Sequence, residues 1–111
     1  MTSERTIIAE RVYKVSDSNE TLILRFYMPF KDESGRYTCQ YELLERPQTA
    51  VVAKGLDAVD AIDTAFWLAG SQLAGLNESL FNGKLHWEGA QPNKPIGLPV
   101  IIDENTPVQD Y

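Results

Sequence analysis

The chain has 111 residues, 43% hydrophobic and 23% charged, the composition of one globular core rather than of a disordered or fibrous chain. Sixteen acids against ten bases leave a net charge of −6, which disfavours a sequence-independent nucleic-acid binder and a protein held on anionic lipid, since both need an excess of Lys and Arg. The single cysteine, Cys39, excludes an internal disulfide, the N-terminal segment lacks a signal-like apolar stretch, and no window nears the roughly 18 apolar residues of a bilayer span, so a soluble cytosolic domain is expected.

The first half reads as strands. From Thr6 to Val15 one parity holds Ile7, Ala9, Tyr13 and Val15 and the other Glu10 and Lys14, which predicts one buried and one wetted face. Arg11 interrupts the apolar parity and suggests an edge strand or a snorkelling side chain. Asp17-Ser18-Asn19-Glu20 supplies a turn. Thr21 to Met28 then alternates Leu22, Leu24, Phe26 and Met28 against Thr21, Ile23, Arg25 and Tyr27. Pro29 ends that ladder, and Lys31 to Arg36 reads as a polar turn with Gly35 free to take a positive φ. Tyr37, Cys39, Tyr41 and Leu43 mark a third strand, and Thr49 to Ala53 a short fourth one.

At Gly55 the period changes. Val59, Ile62, Phe66, Ala69, Leu73 and Leu76 recur at steps of three and four, predicting a helix from about Ala58 to Ala74 whose stripe lies on the sheet, with Gly75 as its stop. Ala61, Ala65 and Ala69 offer small side chains for a close approach, and Trp67 points toward the helix flank. Asp57 occupies the N-cap position and Asp60 that of the capping-box acid. Asn82-Gly83 makes a turn, Leu85 to Glu88 a short extra strand, and the Pro- and Gly-rich segment Gly89 to Pro99 resists regular structure. Val100-Ile101-Ile102 suits a short strand. The expected fold is α+β: an antiparallel meander of three to four strands, one long helix packed on one face, and a short C-terminal strand. Residues 1–102 form one domain in this reading, and 103–111 an acidic, flexible tail.

Reactive groups are sparse. His86 is the single histidine, which rules out a multi-histidine metal site within the chain. Cys39 lies on the apolar parity of its strand and reads as a core residue rather than a nucleophile. Asp57, Asp60 and Asp63 recur at steps of three, each turning by about 300°, so they drift round the helix instead of converging on a cation. No phosphate loop, nucleophile elbow or paired-cysteine spacing is present. No catalytic residue, cofactor or metal is therefore expected.

Charge is more informative. Residues 1–54 carry eight bases and eight acids, whereas residues 55–111 carry eight acids against Lys84 and Lys94, so the whole excess falls on the helix and tail. Such a surface steers a basic protein. The candidate partner-binding residues are Asp57, Asp60, Asp63, Trp67, Glu88, Asp103 and Glu104, in a non-catalytic binding module of which an immunity-type inhibitor of a basic toxin is one concrete form. Nucleic acid and membrane are not expected partners. One alternative is a ligand-binding or enzymatic domain with a pocket between sheet and helix lined by Tyr13, Cys39, Tyr41 and Trp87. Another is a homodimer or larger homo-oligomer joined through an outer sheet face with Ile23, Tyr27 and Leu44.

Ile8-Ala9-Glu10-Arg11, Cys39-Gln40-Tyr41, and Gly55-Leu56-Asp57-Ala58-Val59-Asp60-Ala61 with Ala69-Gly70 and Leu73 together resemble a family of small bacterial domains of unknown function. Leu85-His86-Trp87-Glu88 fits as well. The resemblance covers most of residues 6–90 and departs at Asp60, where the family carries a glutamine. It implies this fold and no catalytic residue.

Overall fold

A computed structural model describes residues 6–44, 51–91 and 93–100 and the strand at 109–110. Its elements are β1 (Ile7–Val15), β2 (Thr21–Tyr27), β3 (Phe30–Lys31), β4 (Tyr37–Leu43), β5 (Val51–Gly55), α1 (Ala58–Ser79), β6 (Leu85–Trp87), β7 (Pro99–Val100) and β8 (Gln109–Asp110). The architecture is α+β. The main sheet runs β3-β4-β2-β1-β6 with β5 paired to β4, and β7 pairs with β8 in the short C-terminal ribbon. The rest of the acidic tail lies outside the described residues. Internal contacts divide the chain into two compact units, one drawn from residues 1–11 and 23–65, the other from 12–22 and 66–111.

In the first unit β4 is the central strand. Its register sets Leu43 against Leu24, Glu42 against Arg25 and Tyr41 against Phe26 on one side, and Cys39 against Ala53 on the other. Leu24, Phe26, Cys39, Tyr41, Leu43 and Ala53 are buried together with Ala61 and Ala65 of α1. Gly55 explains how closely the helix start approaches β5: a Cβ there would strike the backbone of Asp60 and Ala61. The expected polar turn after Pro29 opens with a short strand instead, β3, which pairs Phe30 with Thr38 and Lys31 with Tyr37. The turn itself is built on Asp32, whose Oδ1 accepts the Ser34 and Arg36 amides at 2.9 and 3.1 Å and the Ser34 hydroxyl at 2.6 Å. Gly35 takes a φ of +87°, which permits the tight return.

Two parity expectations fail in this unit. Ile7 and Ala9 are exposed, so the N-terminal half of β1 has no buried face, and Met28 is exposed past the end of β2. Tyr27, expected on an outward face, is buried. Its hydroxyl donates to the Glu42 carboxylate, which lets a polar tip sit under cover. Arg25 donates to Glu10 on the same strand parity as Tyr27, and that bond, followed by the one with Tyr27, raises the guanidinium pKa further.

The second unit pairs β1 with β6, setting Tyr13 against Trp87, Lys14 against His86 and Val15 against Leu85. Tyr13, Val15, Leu22, Ala69, Leu73, Phe81, Leu85, Ile96 and Val100 are buried. The Tyr13 hydroxyl donates to the Ile96 carbonyl, and Asn77 Oδ1 accepts the Leu85 amide at 2.8 Å, tying α1 to β6. The helix passes through Gly75, the expected stop, and continues to Ser79. Gly75 has no positive φ. The stop is made further on, where Leu80 and Phe81 return their amides to the Leu76 carbonyl, Gly83 returns its amide to that of Asn77, and Asn82 adopts a φ of +53°.

The helix is also rotated from the expected stripe. Its buried line is Ala61, Ala65, Ala69, Leu73 and Asn77, one residue every four, whereas Val59 is 75% exposed and Ile62, Phe66 and Leu76 are half-buried. Small side chains win the inward positions because they permit close packing that larger ones on the neighbouring stripe would prevent.

Candidate functional site

The start of α1 gathers the features expected of a contact surface. Asp57 Oδ1 accepts the Asp60 amide at 2.8 Å, so Asp57 is the N-cap and one orphan donor of the first turn is satisfied. Asp60 Oδ2 accepts the Leu56 amide at 2.8 Å, one residue before the cap, a displaced form of the capping box. Thr64 then returns its hydroxyl to the Asp60 carbonyl at 2.9 Å. Asp57, Asp60 and Asp63 are all exposed. Asp57 and Asp60 lie at the positive end of the helix dipole, a favourable place for acidic side chains. Among the described residues no three His, Cys, Asp or Glu side chains are placed to hold a metal ion.

Two apolar neighbours share this surface. Leu56 is 82% exposed and Val59 75%. Leu56 stands at the position from which a hydrophobic staple would reach the fourth helical residue, Ala61, but Ala61 is itself fully buried and too small to cover it. Val59 and Asp63 lie one turn apart on one helix face, with Asp60 beside them. The result is an apolar pair rimmed by three carboxylates. Val59 falls on the stripe that periodicity assigns to the core, whereas the sequence marks Leu56 only as a leucine immediately before an N-cap.

The other expected residues stand elsewhere. Trp67 is half-buried, and its carbonyl accepts the Ser71 hydroxyl at 2.7 Å. Glu88 is exposed in the turn after β6. Both belong to the second unit, whereas the three aspartates belong to the first. Asp103 and Glu104 lie outside the described residues.

The nucleophile candidates are held in unreactive settings. Cys39 is fully buried, its thiol donates to the Tyr27 carbonyl at 3.4 Å, and burial raises its pKa. His86 Nδ1 lies 3.1 Å from the Lys84 carbonyl and 3.4 Å from Ser16 Oγ. A carbonyl only accepts, so Nδ1 carries the proton and this nitrogen is no base for the serine. Tyr13 and Tyr41, proposed above as pocket walls, are buried side chains of their own units.

The sequence profile of a domain of unknown function, DUF6968, matches residues 9–100. The chain belongs to this family. No curated protein and no solved structure matches it. The matched span of the DUF6968 domain contains the whole helix start and β6. Among the described residues no helix is long and apolar enough to cross a membrane.

Proposed function

We propose that this DUF6968 domain is a non-catalytic protein-binding module that docks a basic partner on the acidic start of α1. The observation that carries the reading is the exposure of Leu56 and Val59 beside Asp57, Asp60 and Asp63. Capping accounts for Asp57 and Asp60, but no folding role accounts for two large apolar side chains left in water next to them. An apolar centre inside a charged rim is how protein interfaces combine desolvation with specificity. The carboxylates steer a cationic surface, and Leu56 and Val59 supply the area that is dried on contact.

Asp63 and Val59 take no part in the capping bonds, so Asp63→Lys and Val59→Ser test the surface without disturbing the helix start. With the full chain as bait in host extract, the expected result is retention of a basic protein that weakens with rising salt and is lost in both variants. A retained protein indifferent to both substitutions, or no retained protein, overturns the reading.

A further inference from the structure

We propose that the second unit holds a binding site for a zwitterionic small molecule of the α-amino acid class, in the cleft beside β6. This cleft, of about 460 Å³, is lined by Val12, Lys14, His86, Trp87, Glu88 and Ala90. Its position follows from the β1–β6 register. Tyr13, Val15 and Leu85 point into the core, so the alternate residues Lys14 and His86, which face each other across the strands, stand on the opposite side. Glu88 follows on the same parity of the chain leaving β6. Lys14 and Glu88 thus bring opposite charges to one cleft, and among the described residues neither forms an ion pair. Nearby, Lys84 is already matched to Asp17 at 3.2 Å.

The neighbouring residues of β6 complete the site. His86 Nδ1 is engaged by the Lys84 carbonyl at 3.1 Å, which leaves Nε2 as the ring nitrogen open to a ligand. Trp87 is the partner of Tyr13 and stands on that residue's side of the sheet, its ring against Gly89, where a Cβ would strike the indole carbons, so β6 is anchored beside the cleft before any ligand arrives. A ligand ammonium finds the Glu88 carboxylate. A ligand carboxylate finds Lys14. Val12 and Ala90 leave an apolar margin for a side chain. A plain anion is opposed by Glu88 and a plain cation by Lys14, so the pair selects a molecule that carries both charges.

The test uses the full chain, titrated with each proteinogenic L-amino acid at millimolar concentration and followed by amide and indole NMR shifts. At least one is expected to shift residues 12–14 and 86–90. N-acetylation of that amino acid and amidation of its carboxylate are each expected to weaken binding about tenfold, as loss of one charged contact does. Glu88→Gln is expected to make binding insensitive to N-acetylation, and Lys14→Met insensitive to amidation, with unchanged spectra elsewhere showing that both variants fold. Absence of shifts with every amino acid, shifts confined to other residues, or equal sensitivity of wild type and both variants to the blocked ligands overturns the proposal.

Discussion

The Asp57 carboxylate accepts the amide of Asp60, and the Asp60 carboxylate passes the favour back to Leu56, both at 2.8 Å. The two acids that begin the proposed docking surface are therefore also the acids that start the helix. Asp57→Ala is expected to cost about 1 kcal/mol, the usual loss of an N-cap side chain, and Asp57→Asn much less. Asp63→Ala, remote from these bonds, is expected to stay within about 0.5 kcal/mol. Urea unfolding of the three variants checks the order.

The rotation of α1 makes a second prediction. Leu73 is fully buried and Val59 three-quarters exposed. Leu73→Ala is expected to cost roughly 2–5 kcal/mol through lost burial and a residual cavity, whereas Val59→Ala is expected to change stability by no more than about 0.5 kcal/mol. A large loss at Val59 would return it to the core stripe that periodicity alone suggests. The comparison is by thermal or urea unfolding.

Features set by neighbours in the chain were legible in the sequence, and those set by close approach were not. The strands holding Leu22, Leu24 and Phe26, and Cys39, Tyr41 and Leu43, show in their alternation because each carries its own buried face. Asp57 and Asp60 show because capping acts over three residues. Val59 and Ala61 are ranked the wrong way by hydrophobicity, since what decides between them is the distance from helix to strand at Gly55, a tertiary quantity. Tyr27 is misplaced for a related reason, its cover depending on a hydroxyl bond to Glu42 on another strand. The cleft beside β6 depends on the register of strands some 70 residues apart in sequence, with Lys14 against His86, which no local pattern encodes.

Glycine substitutions in α1 are expected to act with opposite signs. Gly75 is a helix-interior residue with open space where a Cβ would stand. Gly75→Ala is expected to stabilise by roughly 0.5–1 kcal/mol, by raising helix propensity and restricting the unfolded chain. At Gly70 a Cβ would strike the Pro99 carbonyl oxygen, and backbone cannot yield as a flexible side chain can. Gly70→Ala is expected to destabilise by about 1–3 kcal/mol despite the same gain in propensity. Melting temperatures of the two variants separate the effects.

Asp32 ties stability to acid pH. Bonds from Ser34, then from Lys54, hold its carboxyl well below the usual aspartate range. Below about pH 4 the unfolded chain takes up a proton that the folded turn refuses, so the contribution of Asp32 is complete above that range and fades as pH falls. Asp32→Ala is expected to lower the urea midpoint at neutral pH, with the gap to wild type narrowing steadily from about pH 4 downward. A gap of constant width would show that the carboxylate is not what secures the turn.

Tyr41 acts at the other end of the scale. Burial pushes its phenol up to about 12. Between the ordinary tyrosine value near 10 and that figure the unfolded chain releases a proton that the native core retains, so stability falls as pH rises through this window. The shift corresponds to on the order of 3 kcal/mol at its far side. Tyr41→Phe is expected to remove that part of the alkaline decline while leaving the packing against Phe26, 5.9 Å away between ring centres, largely intact. Unfolding midpoints of wild type and Tyr41→Phe across pH 8–12, with tyrosinate absorbance recorded alongside, test whether the phenol absent from the variant ionises only as the core opens.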